Sequence, residues 1–194
     1  SLNGLLKPKK GDLYIDFEGY PFLTIGRNFE YLYGIWSNDK NNNFTYYWSD
    51  DEEEEKNSFV SFIEKLLEHF ELYPDAKFYH YFSYEISSLR RSAQNFGVYE
   101  KELEQLIEKK CFVDLFTTVN SSLLIGASSY SLKTVEKLAG INRTEDLQSG
   151  MESIQYFEDY FFNEEYELKD LIIEYNKADC KNLYLLHDWL ASLL

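Results

Sequence analysis

The chain has only two cysteines, Cys111 and Cys180, in 194 residues. Two cysteines build no disulfide framework, and their spacing fits no zinc site. Both sit in apolar surroundings, so buried free thiols in a reducing cytoplasm are expected. Histidine is nearly as scarce, with His69, His80 and His187 as the three. None is arranged as a base beside a nucleophile, which sets aside hydrolysis through a Ser–His or Cys–His pair. His69 is expected on the exposed shoulder of a helix, and His187 near the end of another. Basic residues are outnumbered: 19 Lys and Arg stand against 34 Asp and Glu, for a net charge of −15. That balance argues against a protein that coats nucleic acid through a basic surface. It leaves room for an enzyme that meets phosphates through metal ions, which supply positive charge locally. No apolar run is long enough to span a bilayer, and no basic-then-apolar leader opens the chain.

What is present is aromatic and acidic. Tyrosine occurs 17 times and phenylalanine 15 times, within a hydrophobic content of 44%. A globular fold is expected, with a single domain over residues 1–194. Most of these rings should pack in the core, and some could offer stacking faces to bases. Exposed aromatics would allow a dimer without implying one. Two acidic blocks, Asp50 to Glu55 and Glu164-Glu165 with Glu167, read as solvated faces. The first also suits a helix N-terminus.

The run Leu13-Tyr14-Ile15-Asp16-Phe17-Glu18 reads as a strand, bounded by turn signals at Gly11 and at Gly19-Tyr20-Pro21. Alternation sends Leu13, Ile15 and Phe17 to one face and Tyr14, Asp16 and Glu18 to the other. Two carboxylates side by side on one face repel, and burial disfavours ionising both. A hard divalent cation such as Mg²⁺ or Mn²⁺ removes that penalty. The competing reading is a half-exposed strand whose polar face meets water.

Phe29 to Trp36, interrupted by Gly34, and Phe44 to Trp48 read as further strands of an antiparallel meander. Helical periodicity then runs from Glu52 to Leu72. Lys77 to Tyr81 is a short strand, followed by a helix from Tyr84 to Phe96 that Gly97 closes, and by another from Tyr99 to Lys109. The helical crossover implies that the Lys77 strand lies parallel to the opening strand. Cys111 to Leu115 reads as a fifth strand. Ser121 to Ser131 reads as a loop, and Ser131 as the cap of a helix from Leu132 to Ala139. Thr144-Glu145-Asp146 is a candidate helix start, Met151 to Phe162 is helical, and a long helix runs from Glu165 to Leu193. The pattern is a mixed α/β sheet flanked by helices.

Three more carboxylates fall where chemistry could use them. Tyr175 and Asp179 share one side of the last helix, and Asp179 lies on its inward stripe between Ile172 and Leu183. There it either ligates a metal or pairs with a lysine such as Lys133. Glu85 opens a helix at a strand's C-terminal end, where open α/β sheets place their sites. It is either a ligand or a charge that suits a helix N-terminus. Asp114 is either a site residue or the cap of the following helix.

The combination resembles the DEDD exonucleases of the ribonuclease-H-like superfamily. Asp16-Phe17-Glu18 matches their first motif, and Tyr175-Asn176-Lys177-Ala178-Asp179 matches the third motif of the tyrosine subclass. The run His80-Tyr81-Phe82-Ser83-Tyr84-Glu85 stands at the second motif, with His for Asn and Glu for Asp. The wording looks closest to a bacterial branch of exonuclease domains often found beside a RecB-like nuclease domain. Val113-Asp114-Leu115, Tyr130-Ser131-Leu132-Lys133 and Asp179-Cys180 belong to that likeness. The resemblance implies a five-stranded sheet of order 3-2-1-4-5, its first three strands antiparallel. It implies two Mg²⁺ or Mn²⁺ ions held by Asp16, Glu18, Glu85 and Asp179, with Asp114 in place of Glu85 as the other possibility. It also implies that Tyr175 orients the attacking water in a 3′-5′ exonuclease acting on DNA or RNA, with a single-stranded 3′ end as substrate. A RecB-like nuclease or helicase partner and a cytoplasmic location go with it. Phe17 or Tyr20 would either stack on the terminal base or pack in the core. The alternative is an inactive ribonuclease-H-like domain that binds nucleic acid or a partner domain.

Overall fold

The computed structural model describes residues 5, 7–24, 26–38, 43–123, 129–144 and 149–193. β1 (Leu13–Thr24) and β2 (Arg27–Ser37) pair antiparallel, and β3 (Phe44–Trp48) continues the meander. α1 (Glu52–Leu72) carries the chain across the sheet to β4 (Phe78–His80), which lies parallel to β1 with Leu13 opposite Phe78. α2 (Tyr84–Phe96) and α3 (Glu100–Glu108) lead back to β5 (Phe112–Asp114), parallel to β4. The sheet order is β3-β2-β1-β4-β5, the order and sense that the resemblance implies. α4 (Leu115–Ser122), α5 (Leu132–Leu138), α6 (Gly150–Asn163) and α7 (Leu168–Ser192) complete the chain. Among the described residues no helix is long and apolar enough to cross a membrane.

Alternation along β1 decides what packs where. Leu13, Ile15 and Phe17 join Phe59, Phe62 and Ile63 of α1 in one core. Tyr14, pointing the other way, packs with Leu183, Leu186 and Leu190 of α7. α7 therefore covers the face of β1 that Asp16 and Glu18 share with Tyr14. A third cluster, built on Tyr31, Phe157 and Ile172, seats α6 beside α7.

Several expectations are corrected. Gly19-Tyr20-Pro21 does not end β1; the strand runs on to Thr24 with register shifts after Glu18 and after Tyr20. A bulge absorbs the extra residues, and Pro21, which cannot donate to a ladder, falls in the second irregular stretch. Gly34 does not interrupt β2, whose ladder pairs it with Asp16. Phe17 and Tyr20 are both buried, Phe17 edge-on to Phe62 and Tyr20 against Phe157, so neither presents a ring for a base. Glu55 of the acidic block is fully buried, held by Arg27 at 2.7 Å and by the Glu30 amide at 2.9 Å. His187 does lie near the end of a helix, α7, where it is buried with Nδ1 at 2.9 Å from the Tyr14 hydroxyl. His69 is half-buried, with Nε2 at 2.6 Å from the Gly11 carbonyl. Ser121 and Ser122 belong to the end of α4, Leu123 and residues 129–131 of the expected serine loop are outside helix and strand, and residues 124–128 lie outside the described residues. The helix start expected at Thr144-Glu145-Asp146 falls mostly there too; Ser149 caps α6 through the Glu152 amide. α7 begins at Leu168, not Glu165. Both cysteines are free and buried, as expected.

Candidate active site

The site is built where α7 crosses β1 and β2. Asp16 faces Gly34 across the ladder. A Cβ at Gly34 would overlap the Asn176 side-chain oxygen and come within 3.0 Å of Cys180 Sγ, so the missing side chain lets α7 approach this closely. Asn176 Nδ2 then donates to Asp16 Oδ2 at 2.9 Å and to the Asp16 carbonyl at 3.1 Å. The two bonds fix the Asp16 carboxylate relative to its own strand. Gly34→Ala should force Asn176 out or lift α7, at about 1–3 kcal/mol, the usual cost of overpacking. Urea unfolding measures it, and a change below about 0.5 kcal/mol, the range of an ordinary surface substitution, would contradict this account of the crossing.

Asp16, Glu18 and Asp179 each bring a carboxylate oxygen within 4.8 Å of the others. Glu18 and Asp179 are buried and Asp16 half-buried. Burial, then the Asp179, Glu18 and Glu85 charges, pushes Asp16 well above the usual carboxylate range. Glu18 is pushed up to about 8 by burial and Asp179, although Ser153 and Asn176 ease it. Burial also raises Asp179, against the pull of Arg143. All three groups therefore resist ionising together unless positive charge enters. The donor set is oxygen throughout, which suits Mg²⁺ or Mn²⁺ rather than a thiophilic metal.

Glu85 and Asp114, the two contenders for a fourth ligand, differ in what they are free to do. Asp114 caps α4: Oδ1 accepts from the Phe116 amide at 2.9 Å and the Phe82 amide at 3.0 Å, and Oδ2 from Thr117 at 2.8 Å. Oδ1 is committed to two backbone amides and Oδ2 to the Thr117 hydroxyl. Glu85 is buried, and its Oε2 lacks a hydrogen-bond partner. It lies close enough to Asp16 to raise that group's pKa. A buried carboxylate oxygen without a donor is costly, and a cation would satisfy it. Glu85 is not one of the three whose oxygens lie within 4.8 Å of one another. His80 Nδ1 is 3.4 Å from Glu85 Oε2, but its short bond, 2.6 Å, goes to the Phe82 carbonyl. A carbonyl only accepts, so Nδ1 carries the hydrogen.

Tyr175 is buried one helical turn before Asp179. Burial and the Asp179, Glu18 and Asp16 charges push its phenol far up, so it stays neutral and keeps a hydroxyl proton to donate. Lys133 Nζ stands 4.9 Å from the centre of its ring and the Arg143 guanidinium carbon 5.8 Å. Asp179 forms an ion pair with Arg143, and the Lys133 charge also favours its ionised form. Glu136, buried on α5, grips Arg143 through both oxygens at 2.7 Å, and Arg143 Nη2 also bonds Asp179 Oδ1. Arg143 Nη1 is buried without a partner. No periodic run marks Arg143, which lies between α5 and α6, so sequence reasoning missed it. Asn176 was within reach, because it stands on α7 between Tyr175 and Asp179.

Comparison with curated proteins and with solved structures gave no match. The family model RNase_H_2, described as RNase_H superfamily, matches residues 13–191. The match takes in the whole sheet, both site-bearing strand exits and nearly all of α7. With a mixed sheet of the expected order and acidic residues gathered on its central strand, this chain belongs to the RNase H superfamily.

Proposed function

We propose that the chain is a divalent-metal-dependent 3′-5′ exonuclease acting on DNA or RNA. The observation that carries this reading is the meeting of Asp16, Glu18 and Asp179 beneath α7. These three and Glu85 would hold two Mg²⁺ or Mn²⁺ ions. When bound, such ions activate a water for attack on the scissile phosphorus and steady the leaving 3′-oxygen. The residues around them supply position. Asn176 locks Asp16, and Arg143, itself locked by Glu136, orients Asp179. Tyr175, neutral and buried, orients the attacking water through its hydroxyl; it is no base. The likeness to domains found beside RecB-like nucleases supports a nuclease or helicase partner and a cytoplasmic setting.

A second reading rests on Arg143. Its guanidinium already lends positive charge to Asp179, which would suit an inactive domain that only binds nucleic acid or a partner. One experiment separates the two. Single-stranded DNA and RNA labelled at the 5′ end are incubated with Mn²⁺ or with chelator. The exonuclease gives a ladder that shortens from the 3′ end, needs metal and disappears in Asp16→Ala. Intact strand retained by the protein under both conditions favours the second reading and removes the first.

A further inference from the structure

The second-motif run holds a feature that the metal site does not use. Phe82 leaves β4 with φ +71, a left-handed conformation that is a real outlier for a bulky residue. The other described non-glycine residues with positive φ, Tyr99, Lys110 and Glu164, adjoin helix termini, as does Phe82, which precedes Ser83, the N-cap of α2. Phe82 is gripped on both backbone groups. The Asp114 carboxylate takes its N–H at 3.0 Å, and His80 Nδ1 donates to its carbonyl at 2.6 Å. Asp114, which also caps α4, and His80 of the second-motif run thus both contribute to holding this bend.

The bend puts an aromatic ring outside. Phe82 is 43% exposed, yet it is not loose: it stacks on Phe116 with centroids 4.0 Å apart and planes 29° apart. Tyr81 stands edge-on beneath both, at 5.2 Å and 5.7 Å, and is anchored by its hydroxyl to the Tyr130 carbonyl at 2.6 Å. A rigid ring with one face packed and another open is a stacking platform. Its place fits one. In the β1–β4 register Tyr14 lies opposite Tyr79, so the chain leaving His80 runs on beside Asp16. Glu85, three residues later, already feels that site. A chain of net charge −15 gains little from a general attraction to phosphates, so contacts with bases matter more to it.

We propose that Phe82, backed by Phe116, stacks on a nucleobase of the strand whose end reaches the carboxylate cluster. The proposal rests on the nucleic-acid reading above and adds the subsite that grips a base. Phe17 and Tyr20 are buried and do not compete for the role.

Binding of a fluorescent single-stranded oligonucleotide is measured by anisotropy with Ca²⁺ in place of Mn²⁺, so that the readout is affinity. Strands with one abasic position, moved stepwise inward from the 3′ end, locate the stacked base. The wild-type chain should lose about five- to a hundredfold in affinity at one position, the range for one base on an aromatic face. Phe82→Gly keeps the left-handed backbone relaxed while removing the ring. It should bind the intact strand as weakly as wild type binds the abasic one, with no further loss at that position. Phe82→Trp should restore affinity. Circular dichroism of Phe82→Gly confirms that the fold persists. Intact-strand affinity unchanged in Phe82→Gly, or an abasic penalty that persists in it, overturns the proposal. Absence of strand binding by the wild-type chain overturns it as well. Failure of the exonuclease reading looks different: no metal-dependent shortening, with the Phe82-dependent stacking still present.

Discussion

Asp16→Asn should remove strand shortening and make the metal-free protein more stable. The two effects have one cause. Asp16, Glu18 and Asp179 crowd their oxygens within 4.8 Å under α7, and although Arg143 and Lys133 ease them, all three carboxyls stay raised. Without a cation the folded chain either keeps adjacent charges or holds protons that water would remove. Both cost free energy, and a neutral amide of the same shape removes both at that position. Unit charges about 4 Å apart repel by about 1 kcal/mol in water and about 4 kcal/mol at a protein-like dielectric, so a gain of that order is expected at pH 8. The Asn176 bond survives the change, because an amide oxygen still accepts.

The sign of the pH dependence follows. Glu18 titrates near 8 in the folded chain against an ordinary value of 4.5, so the folded state binds the extra proton between those values. Stability of the metal-free wild type therefore falls as pH rises through that window. In Asp16→Asn the fall should be shallower, since one source of the crowding is gone. Mn²⁺ should stabilise the wild type by about 2.7 kcal/mol at a hundredfold excess over its dissociation constant. It should do little for the variant. Losing a partner outside the ligand shell costs a metal enzyme about 10- to 100-fold, so losing a ligand should cost activity more than a hundredfold. Thermal melts with and without Mn²⁺ at pH 5 and pH 8, beside the shortening assay, test all of this. A variant less stable than wild type without metal, or equally stabilised by Mn²⁺, would mean that Asp16 belongs to no cation site.

The second large effect is on stability. Arg143→Gln should lower it by about 3–5 kcal/mol, the cost of breaking a buried charged network from one side. For a chain of this size that is a drop in melting temperature of roughly 6–20 °C. The reason is what stays behind. Glu136 is 1% exposed, and its two oxygens both rely on Arg143. Asp179 loses the same guanidinium. Glutamine cannot span the two carboxylates, so both remain buried and charged, or take up protons. The double variant Arg143→Gln with Glu136→Gln removes one stranded charge and should recover part of the loss. Added Mn²⁺ should also recover part in the single variant, by neutralising Asp179. A loss below about 1 kcal/mol in the single variant, well short of the buried-pair range, would show that Glu136 and Asp179 do not depend on Arg143 for their burial.

Much of the architecture could be read in advance because its signals are local. The helix Glu52–Leu72, the strand Phe44–Trp48 and the helix Tyr84–Phe96 lie at the residues that periodicity and end signals indicate. A helical crossover from the meander then leaves β4 little choice but to lie parallel to β1. Gly19-Tyr20-Pro21 misled because a turn signature and a bulge signature use the same residues. Which one forms depends on whether a partner strand continues alongside, and β2 does. Glu55 misled for a similar reason: its residue type favours water, and only a distant partner, Arg27, makes burial tolerable.

By itself the sequence determined the alternation that puts Asp16 and Glu18 on one face of a strand, and the helical spacing that puts Tyr175 and Asp179 on one side of α7. Both follow from backbone repeats of two and 3.6 residues, which every chain obeys. Only the tertiary structure decided that these two faces meet, because the meeting depends on a glycine in a third element that lets α7 sink onto the sheet. It alone assigned Asp114 to a helix cap, left Glu85 with an unsatisfied oxygen, and brought Arg143 from a stretch without periodicity to Asp179. The Arg143–Asp179 contact joins residues 36 positions apart, where short-range pattern carries no information and packing and electrostatics decide.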